Sequence, residues 1–261
     1  AVNRGAKKRA DYVLFAESNL PIAVIEAKDN NHIVGAGMQQ GLGYANALQV
    51  PFVFSSNGDG FLFHDTTGTY PQVETILSLD EFPSKDELWE HYKQHTGIDS
   101  QNEELVTSKN HDDGSGKQPR YYQSNAINRT IEAISRGQRR LLLVMATGTG
   151  KTYTAFNIIW RLWRTKTVKR VLFLADRNIL VDQTMVNDFQ PFKDVMTKIG
   201  PKTIDANGRP DTSYEIYLSL YQAIIGGEDR ESIYDKFPRD FFDLIVVDEC
   251  HRGSANEDSQ W

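Results

Sequence analysis

Met145-Ala-Thr-Gly-Thr-Gly-Lys-Thr152 holds the residue types of a phosphate cradle, in the order such a cradle needs. Gly148 and Gly150 let backbone N–H groups turn inward toward oxygens, with Thr147 and Thr149 between and beside them. Lys151 is placed to reach the β and γ phosphates. Thr152 offers a hydroxyl to magnesium, and the helix starting there favours an anion at its N-terminus. The strict pattern wants glycine where Met145 stands, and the plainer reading is a glycine turn before an ordinary helix. A partner signal lies at Ile245-Val-Val-Asp-Glu-Cys-His-Arg252, an apolar strand ending in two carboxylates. Asp248 stands where a magnesium-holding acid belongs. Glu249 stands where an acid orients or deprotonates an attacking water. Alone, the two acids read equally as a helix cap with a first-turn acid. With the loop upstream, they imply ATP hydrolysis with magnesium.

The N-terminal half carries a second chemistry. Glu26 and Lys28 are separated by one residue, so on a strand over 22–28 both point to one face. Asp11 opens the preceding strand candidate, and a hairpin brings it alongside. Two carboxylates can hold one or two magnesium ions, which polarise a phosphodiester and lower the pKa of bound water. Lys28 would orient that water or offset charge developing on the phosphate. An edge strand with an i,i+2 ion pair is the competing reading.

These residues need elements to hold them. Strands are expected over 11–15, 22–28, 51–55 and 60–64, with turns at 19–21 and 57–60. A helix over 34–47 is weakened by Gly37, Gly41 and Gly43. A surface helix is expected near 85–95, and 106–118 reads as a linker dividing residues 1–105 from 119–261. Beyond it, helical spacing over 123–136 precedes a buried strand at 140–145, a helix at 151–165, and strands at 170–175, 216–220 and 243–247. A further helix is expected at 178–188. Continuous apolar strands alternating with helices predict a parallel sheet covered on both faces. The acid-free run Arg161, Arg164, Lys166, Lys169 and Arg170 gives modest support to a nucleic-acid track and reads at least as well as a solvated helix end, so no DNA contact is assigned to it.

The 261 residues are 39% hydrophobic and 25% charged, enough for a core without staples. The lone cysteine, Cys250, excludes an internal disulfide framework and a cysteine-rich zinc site. Twenty-nine basic against 35 acidic residues exclude a uniformly basic coat but not a local nucleic-acid patch. No apolar run reaches the roughly 18 residues of a membrane span, and the N-terminus lacks a signal peptide's apolar core. A cytoplasmic setting is expected.

The phosphate loop with Asp248-Glu-Cys-His251 resembles the first motor lobe of superfamily 2 helicases and translocases. That resemblance implies a RecA-like lobe in which Gln123, within Arg120-Tyr-Tyr-Gln123, reads adenine. It also implies that Leu174-Ala-Asp-Arg177 and Leu218-Ser-Leu-Tyr-Gln222 touch nucleic acid. Gln123 reads alternatively as a helix-start residue. Asp11 with Glu26-Ala-Lys28 resembles the PD-(D/E)xK nuclease core, with Ala10 where proline is usual. Gln40-Gly-Leu-Gly-Tyr44 is similar to a glutamine-x3-tyrosine element of some of these nucleases; at i and i+4 the pair shares a helix face.

Both halves in this order resemble the restriction subunit of type I restriction–modification enzymes, across essentially the whole chain. The resemblance implies an α/β restriction-endonuclease-like core followed by a P-loop lobe. Its expected sites are a metal site on Asp11 and Glu26 and a nucleotide site with magnesium on Thr152 and Asp248. It further implies ATP-driven translocation of double-stranded DNA, magnesium-dependent cleavage, and association with modification and specificity subunits. S-adenosylmethionine, where required, is held by the methyltransferase part and not by this chain. The family's second motor lobe is not in these residues, so the chain reads as a fragment expected to bind nucleotide weakly and not to translocate. A superfamily 2 helicase with a non-catalytic N-terminal accessory domain is the alternative.

Overall fold

The computed structural model describes residues 9–17, 19–116, 118–175, 188–200, 203–204, 209–220 and 236–249. They fall into two compact units, residues 1–142 and 143–261.

In the first unit β1 (Tyr12–Glu17) and β2 (Leu20–Ala27) form an antiparallel hairpin, with Val13 opposite Val24. Helix α1 (Met38–Leu48) crosses to β3 (Phe52–Ser56), which runs parallel to β2 with Glu26 beside Ser55. β4 (Gly60–Asp65) and β5 (Glu74–Ser78) complete an ordered sheet β1-β2-β3-β4-β5 by antiparallel steps. Strand alternation sorts the side chains. Val24 and Val53 face α1, forming a core with Met38, Ala45 and Val50. Phe52 and Phe54 turn the other way, where Phe54 stacks on Phe63 at 4.7 Å and packs against Phe82 at 4.6 Å. Burying such a ring is worth roughly 1.5–3 kcal/mol. Glycines lower helix propensity, yet α1 forms around Gly41 because a methyl group there would meet Val53 Cγ1 at 2.8 Å. Close packing on the sheet outweighs propensity.

Helices α2 (Lys85–Thr96), α3 (Glu103–Thr107) and α4 (Tyr121–Ser135) follow. Ser84 caps α2 by accepting from the Glu87 N–H at 3.1 Å, and left-handed Gly97 ends it. Helix α4 is tied into the first compact unit. Tyr92 donates to the buried Glu132 at 2.5 Å, Asn128 donates to the Asn19 carbonyl at 2.8 Å, and Arg129 donates to the Gln49 carbonyl at 2.7 Å. Burial pushes the Tyr92 phenol well up, and the Glu132 charge adds to it.

The second unit is a parallel sheet in the order β7-β8-β6-β9: β6 (Val171–Ala175), β7 (Met196–Lys198), β8 (Ile216–Leu220) and β9 (Leu244–Val247). Helix α5 (Lys151–Arg164) buries Phe156, Ile159 and Leu162. Phe173 meets Phe189 at 5.1 Å, while Leu172 and Leu174 turn to a cluster with Tyr217, Phe237 and Phe241. Both faces are therefore covered, as the apolar strands predict. Of the expected basic run, Arg161 is buried and Arg170 lies over the Phe241 ring at 4.4 Å, so it is not a continuous solvated track.

One expected strand is corrected. Residues 140–145 form no strand, and Leu142 and Val144 are 77% and 89% exposed. A central strand gains its stability from ladders on both sides, and none of the described ladders engages this run. Strand β5 is not among the expected strands because it opens the acid-rich stretch over 74–104; β7 is three residues long and gives no period to read. Residues 178–187 of the expected helix lie outside the described residues.

Candidate active sites

The hairpin builds the first site. Glu26 and Lys28 project from the same side of β2 and its continuation, and Lys28 Nζ donates to Glu26 Oε1 at 3.0 Å. Asp11, just before β1, accepts the Ala27 N–H on Oδ2 at 2.9 Å, which fixes it beside the strand between the other two. The Lys28 ammonium is held above its ordinary value, first by the hydrogen bond it donates to Glu26 and then by the charges of Glu26 and Asp11 against an opposing desolvation. It stays cationic at neutral pH.

Glu26 is 1% exposed, and its Oε2 is buried with no hydrogen-bond partner. A buried carboxylate oxygen without a donor is unfavourable unless something positive meets it. That orphaned oxygen, with Asp11 alongside, fits a divalent cation. Among the described residues no group of three or more His, Cys, Asp or Glu side chains forms a metal cluster, so the fit rests on two carboxylates.

Helix α1 adds the glutamine and tyrosine. Lys28 Nζ donates to Gln40 Oε1 at 3.2 Å, and Gln40 Nε2 donates to Tyr44 Oη at 3.0 Å. Glu26, Lys28, Gln40 and Tyr44 thus form one chain of contacts. Sequence reasoning marks neither Ser55 nor Gly37 as part of a site, yet both touch it. The only available sign was a pair of glycines four apart, read as helix weakeners.

The second site lies on loops. Gly148 and Gly150 take φ values of 77° and 85°, left-handed positions that glycine adopts at little cost. Gly150 precedes the first turn of α5, which starts with Lys151 and Thr152. Thr149 Oγ1 donates to the Ala146 carbonyl at 2.5 Å, closing the turn, while Thr147 is exposed. Asp248 and Glu249 follow β9, and the Asp248 N–H donates to the Leu174 carbonyl at 2.8 Å. Lys151 Nζ meets Glu249 Oε1 at 2.8 Å. Glu249 has φ 56°, a strained position for a non-glycine residue. Burial pushes the Asp248 carboxyl up, with the Glu249 charge adding to the shift. Thr152 and Asp248 are both half-buried in this unit.

Gln123 sits at the start of α4 in the first unit, where its Oε1 accepts the Arg120 N–H at 2.8 Å as the return bond of a capping box. Asp176, Arg177, Gln222, Cys250 and His251 lie outside the described residues.

Residues 116–261 match the family model described as type III restriction enzyme, res subunit, and residues 1–72 match the type I restriction enzyme R protein N terminus. The chain is 58% identical over 259 residues to the type I restriction enzyme EcoAI endonuclease subunit of Escherichia coli, covering 99% of this chain and 31% of that one. It is 29% identical over 310 residues to the EcoKI endonuclease subunit of Escherichia coli strain K12, covering 94% and 24%. A solved fragment described as an HsdR subunit of a type I restriction enzyme from Vibrio vulnificus YJ016 superposes with a TM-score of 0.78. The two are 40% identical, across 95% of this chain and 43% of that one. The chain therefore spans about a third or less of the length of these two curated relatives.

Proposed function

This chain belongs to the restriction-enzyme res-subunit family and is homologous to the HsdR subunits of type I restriction enzymes, and from that premise we propose that it carries the nuclease site and the ATP-binding face of a DNA-translocating restriction endonuclease. The observation that carries the nuclease half is the buried, unpartnered Oε2 of Glu26, two residues from a lysine on the same face and beside Asp11.

Asp11 and Glu26 would hold magnesium. The ion, when bound, polarises the phosphodiester and acidifies a water. Lys28, kept cationic by Glu26, is suited to offset charge growing on the phosphate and not to abstract a proton. Gln40 and Tyr44 hold its ammonium in register through two hydrogen bonds.

In the second unit the nucleotide's phosphates would take Lys151 from Glu249. Thr147 to Thr152 would wrap them, with Thr152 and Asp248 on magnesium. Glu249, released from the lysine, would orient the attacking water. In the whole protein the substrate is double-stranded DNA, the partners are modification and specificity subunits, and the setting is cytoplasmic. S-adenosylmethionine would be bound elsewhere in the complex.

Glu26→Ala in the full-length complex tests this. The expected outcome is at least a hundredfold loss of magnesium-dependent cutting with ATP turnover retained. Unchanged cutting would leave a motor lobe with a non-catalytic N-terminal domain.

A further inference from the structure

We infer that Ser55 and Gly37 are positioning residues for the Glu26 carboxylate: the Ser55 hydroxyl ties the start of α1 directly over the Glu26 side chain. The inference rests on the nuclease reading of Asp11, Glu26 and Lys28.

Three observations converge on it. Ser55 is the register neighbour of Glu26 across the parallel β2–β3 pair, so the two side chains stand side by side on one face. Both residues are buried, Ser55 fully. Ser55 Oγ accepts the Gly37 N–H at 3.0 Å, and Gly37 is the residue from which α1 begins. A Cβ on Gly37 would stand 2.9 Å from Glu26 Cγ, 3.2 Å from Glu26 Cβ and 3.0 Å from Ser55 Oγ. The first turn of α1 is thus seated on the Glu26 stem, at a separation only glycine permits.

The consequence is positional. Gly37 and the hydroxyl wall in the Glu26 stem, leaving the carboxylate to divide its oxygens. One faces Lys28, and the other is left without a protein partner. The same anchor sets the height of Gln40, three residues along α1, above Lys28. Without the hydroxyl, the Gly37 N–H is left buried and unpaired, and the helix start must shift to find water or another acceptor. Glu26 and Gln40 then lose their common reference.

The test is Mn2+ binding to the 261-residue chain without nucleotide, followed by calorimetry and by the electron paramagnetic resonance spectrum of bound Mn2+. Glu26→Gln is expected to remove the site. Ser55→Ala is expected to weaken it at least fivefold and alter the bound-ion spectrum with helix content unchanged, and Ser55→Thr, which keeps the hydroxyl, to restore affinity to within twofold. Gly37→Ala keeps the hydroxyl and crowds Glu26 by one methyl group; it too is expected to weaken binding at least fivefold, and it decides the matter if Ser55→Ala fails to fold. Parental affinity in Ser55→Ala, or in Gly37→Ala if that variant must decide, alongside loss in Glu26→Gln would overturn the positioning role and leave the metal site standing. Parental affinity in Glu26→Gln would sink the metal site itself, and the positioning role with it.

Discussion

Each unit sets a lysine against a glutamate, and the two pairs are built in opposite ways. Glu26 and Lys28 are two residues apart on β2 and its continuation, the glutamate side chain enclosed between sheet and helix at 2% exposure and the lysine reaching out at 27%. Lys151 and Glu249 come from loops at the ends of different elements, both partly open to solvent. The first pair is positioned by packing, so its geometry is inherited from the core. The second is positioned by backbone conformation, through left-handed glycines and a strained glutamate. A site meant to hold a metal between fixed acids is served by the first plan. A site that must exchange one partner of a lysine for a phosphate is served by the second.

The contrast can be pressed hardest at the approach to the phosphate loop. Residues 141–144 are apolar and exposed, whereas 171–175 are apolar and fully buried in a parallel ladder. Amide hydrogen exchange should show at least a thousandfold more protection at 172–174 than at 141–144. Equal protection would mean that the first run finds a strand partner after all.

The glycines of the two sites give the next largest effect. Gly41→Ala places a methyl group 2.8 Å from Val53 Cγ1, and overpacking of this kind costs about 1–3 kcal/mol of global stability. Gly148→Ala meets nothing within 4 Å and is strained only by its φ of 77°, a cost of about 1–2 kcal/mol confined to the loop. Both substitutions should therefore lower stability to denaturant by amounts of this order, and only Gly148→Ala should also lose nucleotide affinity. Lost nucleotide affinity in a folded Gly41→Ala chain, or parental affinity in Gly148→Ala, would erase the distinction between packing and backbone.

The smallest effect is in pH. Asp65 ends β4, and although burial alone would raise its carboxyl, hydrogen bonds from the Thr67 hydroxyl and the Tyr70 and Thr67 N–H groups hold it below its ordinary value. Because the folded pKa is the lower one, its stabilisation is present above the unfolded value of about 3.9 and is lost as pH falls through the folded one. Acid unfolding should steepen below about pH 4 in the parent and less so in Asp65→Asn. An unchanged acid limb would remove Asp65 from the account.

What the sequence discloses follows the same division. The strand carrying Glu26 and Lys28 is legible because its period of two is local and the apolar flanks are unambiguous. The phosphate loop is legible because its glycines and Lys151-Thr152 adjoin. The contact between Lys151 and Glu249 is legible only as a motif, since no local spacing brings them together. The strand at 140–145 is misread because apolarity reports what a segment would gain by burial, and not whether a ladder is there to receive it. The attachment of α4 to the first unit is hidden in single polar residues, Asn128 and Arg129, whose carbonyl partners lie far away in the chain. Ser55 is hidden for a related reason: its partner is a backbone N–H.

The central claim is that the chain holds two separate sites, one for metal at Asp11 and Glu26 and one for nucleotide at the loop before α5. Its most direct test is a crossed titration of Glu26→Gln and Lys151→Ala, measuring nucleotide-free Mn2+ binding and ATP binding in each. The account predicts that Glu26→Gln loses the metal and keeps ATP, and that Lys151→Ala loses ATP at least tenfold and keeps the metal. A single substitution that abolished both bindings in a folded chain would contradict it.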